Sequence, residues 1–238
     1  MCMKTLAPLF FCLASVLAGL GQSFVVPGNL ANTEGNSSVN DFLNSSTFRM
    51  QIVFDASQFA IPAGASGRID SISFRIDGAS GGSVGYSFNG ASVTASTTAK
   101  TPDSLSPVFA DNIGPNAVAI FSGSAAFGNG YLPGASPQPF GNPIPRATSF
   151  WYMPSQGNLL LDIAAAGRFT VFPGSLDAQS TLGDSVSRVF ATSDLATSGT
   201  ADTLAPVIRI NMTVVPEPAT WALALTSLLL GAGWRRKK

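Results

Sequence analysis

The chain contains no histidine, and its two cysteines, Cys2 and Cys12, lie near the amino end. Without histidine, and with both cysteines near the amino end, neither the Ser-His-Asp nor the Cys-His arrangement can be assembled. The commonest zinc and copper sites lose their ligands for the same reason. Gly78-Ala79-Ser80-Gly81-Gly82 matches the pattern of a nucleophile elbow, but there is no histidine to activate Ser80. Chance explains such a match in a Gly/Ser-rich stretch. Paired carboxylates could still hydrolyse a glycosidic bond if two stood about 5–10 Å apart in a cleft. The acids nearest expected strand ends are Asp55, Asp70, Asp77, Asp162 and Asp184, and aspartate in that position ordinarily serves the turn. No calcium loop of the D-x-D-x-D-G type is present. No catalytic residue, metal site or cofactor is therefore assigned. Sugar stacking is the remaining chemistry, and Trp151, Tyr152 and Tyr131 are its candidates. The competing expectation, and the favoured one, is that Trp151 and its neighbours pack in the core.

Any such platform must be carried by strands. Gly, Ser, Thr, Ala and Asn are abundant, Phe dominates the aromatics, and Lys and Glu are scarce between the termini. No stretch there repeats apolar residues at helical spacing. Alternation at period two appears instead. Phe48, Met50, Ile52 and Phe54 share one face, as do Ile72, Phe74 and Ile76, and again Val84, Tyr86 and Phe88. Asn89-Gly90 follows and predicts a tight hairpin turn, with residues 93–98 as a polar, exposed return strand. Residues 118–121, 158–163, 169–172 and 189–192 are further strands, and Leu159-Leu160-Leu161 reads as buried on both faces. Ile208, Ile210, Met212 and Val214 alternate along a final strand. Residues 133–145 hold five prolines and must form a loop. The pattern predicts an all-β fold, an antiparallel β-sandwich or jelly roll, over residues 48–214. Residues 22–47 read as a polar lead-in. Residues 22–214 carry eight Lys or Arg against twelve Asp or Glu, with no basic patch, so nucleic acid is not an expected partner.

The two ends read as targeting segments. Lys4 precedes an apolar stretch from Leu6 to Leu20, the layout of a secretory signal peptide over residues 1–21. Val16-Leu17-Ala18 and Gly19-Leu20-Gly21 both offer a cut. Both cysteines lie within the removable part. Phe11, directly before Cys12, is too large for a lipidation signal. At the other end Val215-Pro216-Glu217-Pro218 precedes an uncharged stretch over residues 219–234 and then Arg235-Arg236-Lys237-Lys238. The prolines disfavour helix and keep the chain extended. Residues 219–234 would span about 24 Å as a helix, a little under the ~30 Å hydrocarbon core. Trp221 and Trp234 suit the two interfaces, and the four cations belong in the cytoplasm. The tail is thus expected to be a single transmembrane helix, with everything before Pro216 on the far side of the membrane. A plain membrane anchor fits the same physics. A glycolipid-anchor signal fits less well, because its usual layout ends in the hydrophobic stretch.

Pro216-Glu217-Pro218, the adjacent apolar segment and the basic cluster together resemble the PEP-CTERM sorting domain of Gram-negative bacteria, here over residues 215–238. The resemblance implies export across the inner membrane and processing by an exosortase-type enzyme near Pro216–Pro218. It also implies delivery to the cell surface or extracellular matrix. It specifies routing, not activity. More weakly, residues 48–59, 72–75 and 158–163 resemble ectodomains found ahead of such tails, which implies a secreted β-sandwich of unassigned activity. The expected reading is a non-enzymatic surface or matrix protein. The alternative is a carbohydrate-binding module of the extracellular polysaccharide.

Overall fold

The alternating apolar faces meet across a single core between two antiparallel sheets. The computed structural model describes residues 19–41, 45–82, 84–128, 130–172 and 174–216. The first sheet orders β1 (Leu20–Val26), β14 (Ile208–Val215), β4 (Ser66–Phe74) and β7 (Ile144–Pro145), with β8 (Trp151–Tyr152) also paired to β4. The second orders β12 (Thr200–Asp202), β11 (Val186–Ala191), β3 (Phe48–Phe54), β9 (Asn158–Phe172), β5 (Gly85–Thr98) and β6 (Val118–Gly128). A small third sheet joins β13 (Leu204–Pro206), β10 (Leu176–Ser180) and β2 (Ser37–Val39). The fold is all-β, antiparallel and sandwich-like. Its helices among the described residues are single 3-10 turns, and none is long and apolar enough to cross a membrane.

Period-two alternation places the core where the sequence suggests. Phe48, Met50, Ile52 and Phe54 of β3 are fully buried, as are Ile208, Ile210 and Met212 of β14. Phe48 meets Phe88 and Phe127 edge-on at centroid distances of 5.3 and 5.8 Å, the geometry aromatic rings prefer. Leu159 and Leu161 enter this core. Leu160 faces the other way, into a second cluster with Val53, Val189, Leu105 and Phe109. The connection carrying Leu105 and Phe109 covers the outer face of the six-stranded sheet there, which explains why β9 is buried on both sides.

Two expectations fail in β5. Asn89-Gly90 makes no hairpin: β5 runs unbroken through it, paired to β6 on one side and β9 on the other. The extra length appears as a register shift between Phe88 and Ala91 against β6, a bulge rather than a turn. Residues 93–98 are accordingly the continuation of the strand, and all but the half-buried Thr94 are buried. Ladder hydrogen bonds on both edges outweigh the local turn preference.

Residues 22–47, expected as a polar lead-in, supply β2 and most of β1, whose first residues, Leu20 and Gly21, fall in the segment expected as a signal peptide. Phe24, Val26 and Val39 join the main core, and β1 pairs with β14 over its whole length. A buried ion pair fastens this segment down. Arg75 and Asp177 are each 1% exposed, and Arg75 Nε donates to Asp177 Oδ2 at 2.7 Å. The Arg75 Nη1 and Nη2 donate to the carbonyls of Leu30 and Thr33 at 2.9 and 2.7 Å. The Gly35 amide donates to Asp177 Oδ1 at 2.8 Å. Every charged atom of the pair that leaves water thus finds a partner, as a buried pair requires.

Candidate functional site

The outer face of the first sheet carries a charged row beside an exposed indole. Gly67 and Ile69 of β4 turn inward and are buried, so Arg68 and Asp70 turn outward. Register sets Thr213 of β14 opposite Arg68 on one side and Trp151 of β8 opposite it on the other. Trp151 stands out for the same reason. Phe150 and Tyr152 take the inward positions at 3% and 0% exposure, leaving Trp151 44% exposed. The expectation that Trp151 packs in the core is therefore overturned by strand alternation, whereas its two neighbours do pack there.

The row is tightly bonded. The Arg68 guanidinium lies 5.7 Å from the Trp151 ring centroid, within cation–π range. Its Nε donates to Asp70 Oδ1 at 3.0 Å and its Nη2 to Thr213 Oγ1 at 3.2 Å. Thr213 Oγ1 donates in turn to Asp70 Oδ2 at 2.6 Å. Arg146, which follows β7, donates from Nε to Asp70 Oδ1 at 3.1 Å and from Nη1 to Ser149 Oγ at 3.2 Å. Burial alone would push the Asp70 carboxyl up, but the bonds from Thr213, Arg146 and Arg68 outweigh it and hold the group below its ordinary value. Asp70 is thus an anion held between two arginines. Next along the face Asn211 Nδ2 donates to Ser71 Oγ at 3.0 Å, with the exposed Ser23 of β1 opposite Asn211. A flat aromatic ring beside fixed donors can bind a ligand on an open surface.

The other candidates separate. Tyr152 is inside, its hydroxyl donating to the Gly157 carbonyl at 2.9 Å, and burial raises its phenol pKa. Tyr131 is half-buried against the core. Trp151 is the exposed member of the three. Among the acids, Asp55 and Asp77 accept from the amides of Ser57 and Ala79 and cap 3-10 turns, the turn role expected of them. Asp162 is bound by Arg49 at 2.6 Å and Gln51 at 2.9 Å. Asp184 accepts from the Val186 amide, and burial, with Asp103 adding to it, raises its carboxyl pKa. Ser80 is engaged with both backbone groups of Ser175. No group of three or more metal-ligating side chains occurs among the described residues. A cavity of about 160 Å³ between Asp103, Leu105 and Arg188 is below the ~300 Å³ at which small-molecule sites begin.

No family model, curated protein or solved structure matches this chain. Residues and geometry therefore carry the functional reading alone. Of the expected sorting motif, Pro216 is described, half-buried directly after β14. Glu217, Pro218 and the cations Arg235, Arg236, Lys237 and Lys238 lie outside the described residues, as do residues 1–18 of the expected signal peptide. Sequence reasoning named Trp151 and Asp70 for separate chemistries and passed over Arg68, Arg146 and Thr213. The alternation of Arg68 and Asp70 with Gly67 and Ile69 marks an outward face. Nothing in the sequence pairs that face with a tryptophan more than eighty residues on.

Proposed function

We propose that this chain is an exported, non-enzymatic protein of the bacterial cell surface or extracellular matrix, held in the membrane by residues 215–238 and released by an exosortase-type enzyme. The observation that carries the reading is the order of Pro216-Glu217-Pro218, an uncharged run over residues 219–234 and four cations. The folded body supports it from the other side. β14 ends at Val215, so strand pairing stops where the motif begins, as cleavage there requires. Missing histidine and a lone pair of leader cysteines argue against hydrolytic chemistry in the exported part. Intact mass measurement of the surface-released form tests the reading by locating both cut ends. Replacing Glu217 by Ala, or the terminal cations by neutral residues, should make full-length precursor accumulate in the membrane. Recovery of the native chain from the cytosol, soluble and uncut, refutes the proposal.

The exposed indole favours a second reading, a carbohydrate-binding module that follows the same route. Trp151 offers one ring face over a row of fixed polar groups, the arrangement a sugar ring stacks upon. Polysaccharide pull-down with the released protein tests it. Saturable binding should vanish in Trp151→Ala while the fold persists, and binding that survives this change removes Trp151 from the role.

A further inference from the structure

The two ends of the folded body leave it side by side. β1 pairs with β14 from Leu20 opposite Val214 to Val26 opposite Ile208, so Leu20 and Val215 sit at one end of the first sheet, on strands about 5 Å apart. Ser66, the first residue of β4, pairs with Val215. The connection that precedes it therefore comes to the same end. It reads Phe59-Ala60-Ile61-Pro62-Ala63-Gly64-Ala65, without one polar side chain. Phe59 and Ala65 are buried and Ile61 is half-buried, while Ala60, Pro62 and Ala63 are exposed. Leu20 at this end is 69% exposed, and Trp151 stands one residue pair further in. Residues 56–67 carry no charge; the first charged side chain along β4 is Arg68.

The chain lengths on either side identify what covers this end. Residues 216–218 separate β14 from the apolar run that starts at Ala219, a reach of about 10 Å when extended. At the amino side the apolar stretch beginning at Leu6 runs to Leu20, the first residue of β1, with no spacer. Lys4 and Arg235-Arg236-Lys237-Lys238 lie at the outer ends of the two apolar segments. The positive-inside preference puts both sets of cations on one side and the body on the other. A bilayer's polar layer is roughly 5–8 Å thick on each side, comparable to the leash at the carboxyl side. The geometry points to a membrane-facing end: in the uncut precursor Leu20, Ala60, Pro62, Ala63 and Trp151 lie against the lipid headgroups. Small apolar side chains and an indole at the rim suit that layer, which tolerates partial burial without charge desolvation. This inference rests on the anchored-precursor reading above.

The test uses the full chain, with Cys2 and Cys12 replaced by Ser, expressed without a processing enzyme and reconstituted in vesicles of phosphatidylethanolamine and phosphatidylglycerol. A fluorophore is attached through Ala63→Cys, with Ala60→Cys as a second site, and through Leu195→Cys as the far reference. Leu195 is 83% exposed and follows β11 beyond Ala191, which pairs with Arg49 near the opposite end of β3. Lipids carrying a quencher in the headgroup should quench the labels at positions 60 and 63 roughly threefold more than the label at 195, because only the first two lie within the interfacial layer. Equal quenching at all three sites in chain that resists carbonate extraction overturns the inference and leaves the anchored reading standing. Chain that carbonate extracts from the vesicles overturns both.

Discussion

Replacing Asp177 by Ala leaves the Arg75 guanidinium buried with no counter-charge. Arg75 is 1% exposed and keeps two acceptors, the carbonyls of Leu30 and Thr33. Breaking a buried pair from one side costs about 3–5 kcal/mol, and the two remaining acceptors place this loss near the lower bound, at about 3 kcal/mol. The change also frees the Gly35 amide, so residues 30–35 lose their hold on β10. Arg75→Met acts differently, because a carboxyl can escape its charge by binding a proton. Burial already pushes the Asp177 carboxyl up, with Arg75 opposing it; without Arg75 the folded value rises further. The folded state then binds more protons than the unfolded one above the unfolded carboxylate value of about 3.9. Stability of Arg75→Met should therefore fall as pH rises, by about 1.4 kcal/mol per unit between the two values. Urea unfolding of the released protein, followed by circular dichroism over a pH series, reads both effects. The double change Arg75→Met with Asp177→Ala should cost much less than the two single changes added together. Single changes costing under about 1 kcal/mol, or a double change that is additive, would refute the pair as a staple of the amino-terminal segment.

Phe48→Ala removes a ring shared by Phe88, Phe127 and the stacked Phe190 and should cost about 3–5 kcal/mol in the same unfolding assay. Gly114→Ala should cost about 3 kcal/mol, because a Cβ there would stand 1.6 Å from the Thr97 carbonyl oxygen and the backbone must move; unchanged stability would mean that the loop is not seated as described. Asp70 is held below its ordinary value, so its stabilisation is complete above the unfolded value of about 3.9 and is lost as pH falls through the lower folded one. Asp70→Asn should accordingly destabilise near neutral pH and lose its effect in acid, and an equal cost at both ends of the titration would contradict the ion network around Arg68, Arg146 and Thr213.

Strand faces were legible because alternation is local. Phe48, Met50, Ile52 and Phe54, or Ile208, Ile210 and Met212, must share a side whatever the strand pairs with. The triple leucine at 159–161 announced burial on both faces by the same logic. Asn89-Gly90 misled because its turn preference, worth little beside two ladders of hydrogen bonds, yields when β6 and β9 hold the strand straight. Residues 22–47 read as a polar lead-in because their polarity hides that Arg75 and Asp177, remote in the chain, bind their backbone. Trp151 shows the division most plainly. Its two neighbours and strand alternation suffice to turn it outward, but its company of Arg68, Asp70, Thr213 and Arg146 exists only through β4 pairing with β8 and β14. Residue order determined composition class, strand faces and the character of the two terminal segments, since each is set by neighbours a few positions apart. Partners, register and the shared exit of both ends came from the tertiary structure, because they depend on contacts between strands far apart in the chain, and local propensity carries no term for those.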